Sequence, residues 1–332
     1  MRAVLATGPG QLSVTRVPDP APAPDGVVVA VRSCGICGTD LHLLAGDLGT
    51  DRFPLVPGHE PWGEVVAVGG GVTGYRAGDL VAVDPSLHCG ACDPCRRGQG
   101  NMCERWAAIG ATRDGAWAEF TAVPAANLHL LEPGFPLAVA ALAEPVACAE
   151  RGLRRLDPRP DQPAIVYGAG TMGLLMAILL DARGVGPVTL VEVNPARRAL
   201  AAGLTNAEVR TPEAAAGLRA PWVVEATGNP AAFEQALAGV ARAGTLLVFG
   251  VARPDATAAV SPHRLYADEL TIVGSMAILH SFPAAVDTLH RHADRFAPLV
   301  TDRFRLDDAE AALALVRSGE TIKAVLTPEE PP

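Results

Sequence analysis

The sequence lacks the features of a membrane-spanning or nucleic-acid-binding protein. No uninterrupted apolar run approaches the ~18 residues of a membrane-spanning helix, and residues 1–5 lead into polar sequence too soon for a secretory signal. Basic residues are few, with 27 Lys plus Arg against 36 Asp plus Glu and a formal net charge of −9, so the chain does not attract a polyanion. We therefore expect a cytoplasmic protein that binds neither membranes nor nucleic acids.

Charged residues are also scarce, at 19% of the 332 residues, whereas 49% are hydrophobic. A chain of this length and composition can bury the cores of two ordinary domains, which excludes a disordered or collagen-like class. No internal repeat or long low-complexity linker interrupts it.

The seven cysteines are odd in number and unevenly spaced, unlike the disulfide framework of a secreted protein. Four of them form a C-x2-C-x2-C-x7-C pattern, at Cys89, Cys92, Cys95 and Cys103. This spacing can wrap four thiolates around one tetrahedral zinc, with glycine and proline at the turns. Because four thiolates leave no open coordination position, we predict a structural zinc that holds a loop and takes no part in chemistry.

The sequence pattern changes along the chain at about Pro136. Residues 1–135 contain short apolar runs broken by glycine and proline, at 26–31, 63–69 and 79–83, which favours an all-β, barrel-like unit. From about Pro136, helical stretches rich in alanine and leucine alternate with compact apolar strands, which predicts a parallel sheet with crossover helices. The predicted strands are 163–167, 187–193, 222–226, 244–250 and 270–274, followed by helices near 283–292 and 309–318 and a closing strand at 323–327.

A glycine-rich turn follows the first of these strands. Gly168, Gly170 and Gly173 have the G-x-G-x-x-G spacing, with Thr171 and Met172 between the last two, and a helix continues from there. The first glycine permits the tight turn, the second lets the backbone approach a pyrophosphate, and the third allows close packing of helix on strand. Since the helix start supplies amide donors and a positive dipole, we predict a dinucleotide site.

The next strand leads to Glu192, nineteen residues beyond Gly173. A carboxylate at this place can accept both ribose hydroxyls, and it repels a 2′-phosphate. We therefore expect NAD rather than NADP. Arg197 and Arg198 lie one turn later and partly offset this repulsion, so NADP stays the less favoured alternative.

Three short segments outside the nucleotide unit carry side chains suited to catalysis. Residues 34–42 offer thiols, a hydroxyl and an imidazole, residues 57–60 an imidazole and a carboxylate, and residues 142–145 a carboxylate. None is specific alone, because a single histidine or cysteine is more often structural. We expect Cys34 and Cys148 to be structural in this sense.

In combination, the segments resemble the zinc-dependent medium-chain dehydrogenase/reductases of the alcohol dehydrogenase superfamily, nearest to the sorbitol (polyol) dehydrogenase branch. The resemblance extends over essentially the whole chain. It rests on Gly58-His59-Glu60 followed by Gly63, Gly69 and Val72, on Cys37-Gly38-Thr39-Asp40-x-His42, on the four-cysteine lobe, on the glycine-rich turn, on Glu225-Ala226-Thr227-Gly228 and on Ile322-Lys323-Ala324-Val325.

The resemblance implies an α/β protein of two domains. A GroES-like β-barrel catalytic domain would occupy residues 1–144, with the structural zinc lobe at 88–104, and would resume at 276–332. A Rossmann domain, with a doubly wound parallel sheet, would occupy 145–275. By analogy, the protein would be a homo-oligomer, either a tetramer or a dimer.

The resemblance also implies a second zinc that takes part in the reaction, bound by Cys37, His59 and a carboxylate, either Glu60 or Glu144. The alcohol dehydrogenase branch has a cysteine where Glu144 stands here, which favours polyol-type chemistry. Pro145 biases Glu144 toward an extended backbone. Because Cys37, Glu60 and Glu144 together would place three negative charges on a dication, we expect one glutamate to leave the metal, or to act through a water, when substrate binds.

The implied reaction is hydride transfer from a zinc-bound alcohol to the nicotinamide, since zinc makes a bound hydroxyl easier to ionise. The family pattern implies a proton relay from Thr39 through the cofactor ribose to His42 and solvent, and a contact between Lys323 and the cofactor pyrophosphate. We therefore expect an NAD-dependent enzyme that oxidises a secondary alcohol of a polyol, sugar or cyclitol.

Other functions stay open as alternatives. A threonine-type or simple secondary alcohol dehydrogenase belongs to the same class. The cysteine lobe alone also suits a zinc-ribbon module that binds nucleic acid or protein, and a cofactor-binding protein that has lost catalysis is a third class. The acidic charge, the glycine-rich turn and the His59-Glu60 pair weigh against the zinc-ribbon module.

Overall fold

A computed structural model describes residues 1–47 and 52–328. Its strands, in chain order, are β1 (Arg2–Gly8), β2 (Gln11–Arg16), β3 (Gly26–Gly35), β4 (Glu60–Val68), β5 (Leu80–Val83), β6 (Ser86–Leu87), β7 (Ala107–Ala108), β8 (Phe120–Pro124), β9 (Leu128–Leu130), β10 (Ala164–Tyr167), β11 (Val188–Val191), β12 (Glu208–Arg210), β13 (Ala220–Glu225), β14 (Val240–Val248), β15 (Thr271–Gly274), β16 (Val300–Arg305) and β17 (Lys323–Thr327).

The α-helices among these residues are α1 (Gly38–Ala45), α2 (Asp93–Arg96), α3 (Ala143–Leu156), α4 (Thr171–Ala182), α5 (Pro195–Leu204), α6 (Pro230–Ala238), α7 (Pro262–Ala267), α8 (Phe282–Arg291), α9 (Ala293–Phe296) and α10 (Ala309–Ser318). Short 3-10 turns lie between several of them. None of the described helices combines the length and the apolar character needed to cross a bilayer.

Contacts divide the chain into two compact units. One comprises Met1–Ala147 together with the chain from Ile278 onward, and the other comprises Cys148–Ala277. The first unit is therefore assembled from both ends of the sequence.

The first unit contains a sheet in the order β16-β17-β3-β4-β5-β9, and β8 pairs with β3 as well. Strand β3 is central because its alternating valines are buried, with Val27 and Val29 packed in one cluster with Val65 and Val81. The strands predicted at 26–31, 63–69 and 79–83 are confirmed as β3, β4 and β5. The closing strand at 323–327 is confirmed as β17, and it is an interior strand of this sheet.

The end of β3 brings three distant parts of the chain together. Gly35 faces Glu60 of β4 on one side and Val325 of β17 on the other. The pairing continues one residue further, where the Ile36 N–H donates to the Ala324 carbonyl at 2.9 Å. The start of α1, the start of β4 and the start of β17 therefore converge at this end of the sheet.

The second unit contains a six-stranded sheet in the order β12-β11-β10-β13-β14-β15, in which all neighbours are parallel. The chain proceeds outward from β10 in one direction and, after returning to β13, outward in the other. This arrangement confirms the predicted doubly wound parallel sheet. In such sheets ligands bind at the carboxyl ends of the two strands where the order reverses, here β10 and β13.

Two local differences from the sequence predictions have physical causes. Strand β12 was not expected, because its three partly exposed residues carry no alternating apolar pattern. The predicted extended backbone at Glu144 is wrong, since Glu144 lies in the first turn of α3. Pro145 is tolerated there because the first N–H groups of a helix have no internal acceptor to lose.

Candidate active site and metal centres

The four-cysteine lobe has the geometry of a single metal site. The sulfur atoms of Cys89, Cys92, Cys95 and Cys103 all lie within 4.8 Å of one another. The distance is 3.8 Å from Cys92 Sγ to Cys103 Sγ and 4.0 Å from Cys89 Sγ to Cys95 Sγ. Four sulfurs bound to zinc at ~2.3 Å would be about 3.8 Å apart. The lobe therefore fits the predicted structural zinc.

Backbone amides in the lobe stabilise sulfur in its thiolate form. The Cys92 and Ala91 N–H groups point at Cys89 Sγ, at 3.3 and 3.5 Å. The Cys89 and Arg105 N–H groups point at Cys103 Sγ, both at 3.3 Å. The amides of Ala91 and Cys92, with help from the Arg105 side chain, lower the pKa of Cys89 to about 5. Cys89 is thus prepared for metal binding at neutral pH, whereas desolvation and the neighbouring sulfurs raise the pKa of Cys95 to about 12, so a metal must displace its proton.

A second group of ligand atoms lies at the end of β3. Cys37 Sγ, a ring nitrogen of His59 and a carboxylate oxygen of Glu60 are all within 4.8 Å of one another. His59 and Glu60 are buried, and Glu60 Oε1 has no hydrogen-bond donor among the described residues. A buried acceptor without a donor is costly unless something else satisfies it. One sulfur, one nitrogen and one oxygen close enough to share an ion form a donor set that suits zinc.

Asp40 holds two of these residues in place and was missed by the sequence analysis as a site residue. It is completely buried on α1, and its Oδ2 accepts the Cys37 N–H at 2.8 Å. Its Oδ1 lies 3.2 Å from His59 Nδ1. Because a carboxylate only accepts, Nδ1 carries the hydrogen and Nε2 is left for a metal. An acid three residues after a helix N-cap was the signal that could have identified it.

Protonation competes with metal binding at His59. Burial lowers the pKa of the imidazole, but Asp40 and Cys37 outweigh it and raise the pKa well above its ordinary value. A metal must therefore displace a proton from this ring. By contrast, burial raises the pKa of the Cys34 thiol, which stays neutral and packs in the core, as expected of a structural cysteine.

Lys323 lies beside the ligand group of Cys37, His59 and Glu60. It is 2% exposed, its Nζ forms an ion pair with Glu60 Oε2, and it donates to the Ile36 carbonyl at 3.1 Å. Burial lowers the pKa of the lysine, but Glu60, Cys37 and Glu144 raise it above its ordinary value, so the lysine is charged. The ammonium is thus paired with Glu60, and the contact of Lys323 with the cofactor pyrophosphate stays a prediction.

The absence of a side chain at position 35 makes room for this pair. A Cβ placed on Gly35 would collide with Glu60 Oε2 and come within 2.8 Å of the Lys323 Cε. Glu144, the other predicted carboxylate, is outside the group of three ligand atoms found among the described residues. It lies near enough to Lys323 to raise its pKa. The structure therefore groups Glu60, and not Glu144, with Cys37 and His59.

The two predicted relay residues lie one turn apart on α1. Thr39 Oγ1 is 3.7 Å from Cys37 Sγ, beside the ligand group. The His42 side chain is 42% exposed, and its Nδ1 lies 3.1 Å from Asp47 Oδ2. Residues three apart on a helix share a face. On this face Thr39 lies at the ligand group and His42 is exposed to solvent.

The loop that carries His59 is fixed by glycines and one indole. Gly58 has φ +97°, and a Cβ there would collide with the Trp117 ring. A Cβ on Gly110 or Gly115 would collide with the Gly58 carbonyl. The sequence analysis missed these three supports, because Gly110, Gly115 and Trp117 lie some fifty residues after the histidine in the chain.

In the second unit, the glycine-rich turn joins β10 to α4 in the strand–turn–helix order. Gly168 has φ +100°, and Gly170 is the N-cap of α4, whose first residues are Thr171 and Met172. A Cβ on Gly173 would collide with the Gly168 carbonyl. The turn therefore requires glycine at its first and last positions, and the first backbone amides of α4 lie beside it.

Glu192 links this turn to the next helix. It follows β11 and is 6% exposed; its Oε2 accepts the Ala169 N–H at 2.7 Å and its Oε1 accepts the Asn194 N–H at 2.8 Å. The Arg198 guanidinium donates to the Glu192 and Val193 carbonyls, at 3.0 and 2.7 Å, and the Arg197 N–H donates to the cap residue Asn194. The carboxylate is fixed beside the glycine-rich turn.

Two family models together match nearly the whole chain. The first, described as the alcohol dehydrogenase GroES-like domain, matches residues 23–133, and the second, described as the glucose dehydrogenase C-terminus, matches residues 129–327. The second match alone covers more than half of the chain.

Several characterised proteins are similar over almost their full length. D-altritol 5-dehydrogenase of Agrobacterium fabrum is 38% identical, over 92% of this chain and 90% of the relative. D-arabinitol dehydrogenase 1 of Uromyces fabae is 32% identical, over 99% and 97%. An L-threonine 3-dehydrogenase of Symbiobacterium thermophilum is 32% identical, over 99% and 98%.

Solved structures share the fold. A protein of Sinorhizobium meliloti 1021, described as a zinc-binding dehydrogenase and bound to NADP, superposes with a TM-score of 0.94 at 28% identity, covering 98% of this chain and 99% of that one. A protein of Escherichia coli CFT073, described as a short chain alcohol dehydrogenase and complexed with NADH, superposes with a TM-score of 0.91 at 28% identity, with the same coverage.

Proposed function

Because the chain belongs to the zinc-dependent medium-chain dehydrogenase/reductases, in their polyol dehydrogenase-like branch, we propose that it transfers a hydride between a secondary alcohol of a polyol, sugar or cyclitol and NAD. The observation that carries this proposal is the convergence of Cys37, His59 and Glu60 on one point. The relatives that act on D-altritol and D-arabinitol support a polyhydroxylated substrate.

The metal site has a distinct role for each residue. Zinc held by Cys37, His59 and Glu60 would supply a Lewis acid that makes an alcohol easier to ionise. Asp40 fixes the ring of His59 through Nδ1, so that Nε2 is aimed at the ion. Burial of His59 and Glu60 excludes water, which strengthens every charge interaction in the site.

The proton of the substrate hydroxyl must leave a buried site. Thr39 lies beside Cys37, and its hydroxyl can accept that proton while it donates its own onward. His42 is the solvent-exposed end of the same helix face and acts as the base that releases the proton to water. Thr39 and His42 would be the two protein groups of the proton relay that the family pattern implies.

The cofactor is assigned to the glycine-rich turn of the second unit. Gly168, Gly170 and Gly173 let the backbone approach a pyrophosphate, and the amides of Thr171 and Met172 at the start of α4 stabilise its charge. Each oxygen of Glu192 accepts one backbone N–H and retains a lone pair for a ribose hydroxyl. Its negative charge disfavours a 2′-phosphate, which supports NAD over NADP.

The four-cysteine lobe supplies stability and no chemistry, because a tetrathiolate zinc has no open position. We also propose a cytoplasmic location, where thiols stay reduced, because none of the seven described cysteines is in a disulfide and four of them lie close enough together to hold one metal ion. By analogy with the family we also propose a homo-oligomer, either a tetramer or a dimer.

A threonine-type dehydrogenase is the second candidate, because an L-threonine 3-dehydrogenase is as similar as the arabinitol enzyme. A screen of NAD reduction with polyols, cyclitols, amino alcohols and simple secondary alcohols separates the two. We expect a polyol or cyclitol to give the highest kcat/KM, with loss of activity after chelation and recovery on adding zinc. Preference for L-threonine would favour the second candidate, and one zinc per chain instead of two would favour a non-catalytic protein.

A further inference from the structure

Lys323 and Glu60 form a buried ion pair directly beside two metal ligands. Lys323 is the only lysine in the chain, and it and Glu60 are 2% and 1% exposed. A buried ion pair is expensive to desolvate, and removal of the whole pair often costs a protein little stability. The position of this pair next to Cys37 and His59 points to a role other than stability.

The two oxygens of Glu60 have different surroundings. Oε2 is paired with the Lys323 ammonium, whereas Oε1 has no hydrogen-bond donor among the described residues. A carboxylate oxygen of Glu60 also belongs to the group of atoms that can hold a metal with Cys37 and His59. The ammonium and a metal bound with Cys37 and His59 would therefore compete for one carboxylate.

Of these partners, the ammonium is the fixed one. Lys323 Nζ also donates to the Ile36 carbonyl, and the backbone of β17 is held by its pairing with β3 and β16. Because Gly35 has no side chain, the Glu60 carboxylate and the end of the Lys323 side chain both fit beside it. Lys323 is thus held in place by more than its contact with Glu60.

We propose that Lys323 is a positioning residue whose ammonium competes with the catalytic metal for the Glu60 carboxylate and so keeps Glu60 a displaceable ligand. The coordination position is then available to the hydroxyl of the substrate. Without the ammonium, a thiolate and a fully charged carboxylate would both bind the dication permanently and weaken it as a Lewis acid. This inference rests on the proposed function, because it assigns the control of that same metal site.

The first test measures the release of zinc and does not depend on catalytic turnover. Zinc release to a chromogenic chelator is followed in the wild type and in Lys323→Gln, which loses the charge but keeps a donor for the Ile36 carbonyl. The phase that is absent in His59→Ala reports the catalytic site. We expect this phase to slow about tenfold in Lys323→Gln, in the range by which groups that contact ligands alter metal affinity. The phase of the four-cysteine lobe should not change, and it serves as an internal control for folding.

A double-mutant cycle assigns the effect to the carboxylate. In the Glu60→Gln background the amide is a poor ligand, so Lys323→Gln should change the release rate less than twofold. Lys323→Arg, which keeps the positive charge, should release zinc like the wild type. In cobalt-substituted protein, the visible absorption should show a higher coordination number in Lys323→Gln and the wild-type number in Lys323→Arg.

Three results would overturn the role of Lys323. They are an equal slowing of zinc release in the wild-type and Glu60→Gln backgrounds, an equal slowing by Lys323→Gln and Lys323→Arg, or no slowing at all. None of these measurements needs substrate or cofactor. A protein that passes them but oxidises no alcohol would leave the role of Lys323 intact and would count against the proposed function.

Discussion

The Oδ1 atom of Asp40 lies 3.2 Å from Nδ1 of His59, and the Oδ2 atom of the same carboxylate accepts the Cys37 N–H. One buried side chain thereby orients the two proposed metal ligands, Cys37 at the N-cap of α1 and His59 in the loop before β4.

Replacing Asp40 by asparagine should weaken metal binding at the catalytic site. The amide holds the Cys37 N–H and the His59 ring less strongly, so zinc affinity should fall about 10- to 100-fold. Competition with a chelator measures the affinity, and kcat/KM should fall with it unless zinc is in excess. The control is Asp287→Asn, which removes an exposed carboxylate paired with Arg291. Unchanged zinc affinity in Asp40→Asn would contradict the assigned orientation.

Two nearby glycines should respond oppositely to alanine. Gly35→Ala places a methyl group against Glu60 and Lys323, and such overpacking costs about 1–3 kcal/mol of unfolding free energy. Because the carboxylate must move, kcat/KM should also fall. Gly38→Ala, at the start of α1, has open space around its Cβ and should be neutral or stabilising. Urea unfolding and steady-state kinetics measure both variants; equal behaviour would refute the crowding at position 35.

The glycine-rich turn allows stability and cofactor binding to be separated. Gly173→Ala collides with the Gly168 carbonyl and should lose both stability and NAD affinity. Gly170→Ala has no neighbour within 4 Å and should keep its stability, yet weaken NAD binding by blocking the pyrophosphate. Gly203→Ala on α5 is the control and should keep NAD affinity. If fluorescence titration gives Gly170→Ala wild-type affinity, the pyrophosphate does not lie on this turn.

The exposed end of the proposed relay predicts a pH-dependent defect. His42→Ala should lower kcat near neutral pH and approach the wild-type value at high pH, where hydroxide removes the proton without the imidazole. His263→Ala, on the surface of the second unit, is the matched control. A pH profile of kcat for His42→Ala that parallels the wild type at every pH would exclude the relay.

Acid should destabilise the protein through His129. This ring is stacked on Phe282 with centroids 4.4 Å apart, and burial lowers its pKa to about 4. The unfolded chain takes up a proton near pH 6.5, and the folded chain does so only near pH 4, so stability is lost as the pH falls through this window. The loss should be on the order of 2 kcal/mol. In urea unfolding, the free energy of unfolding of His129→Phe should depend less on pH than that of the wild type. Metal loss in acid affects both proteins, so it cancels in this comparison.

The sequence was sufficient to predict a site wherever the residues of that site lie close together in the chain. The turn from Gly168 to Gly173 and the four cysteines of the lobe are local patterns. Their spacing alone limits the backbone conformations that they can form, and therefore the ligands that they can bind. The His59-Glu60 pair and Cys37 were identified through a resemblance, and the structure groups their ligand atoms. The parallel sheet with crossover helices followed from the alternation of apolar strands and helices, and its doubly wound order followed from the resemblance.

Contacts between distant residues could not be read in the same way. Lys323 and Ile36 are 287 positions apart, and only the pairing of β17 with β3 brings them together. The support of Gly58 by Gly110, Gly115 and Trp117 likewise depends on packing that no local pattern encodes. Glu144 shows the opposite failure, because a local rule about the residue before proline gave way to the helix that the surrounding residues form.

The place of β17 inside the first sheet also sets an order of events during synthesis. Cys37, His59 and Glu60 leave the ribosome well before Lys323, the counter-charge of Glu60, which follows Glu60 by 263 positions. A chain interrupted before that point exposes the flank of β3 and carries a carboxylate with no ammonium beside it. Only a chain that has been translated beyond β17 can therefore complete this centre.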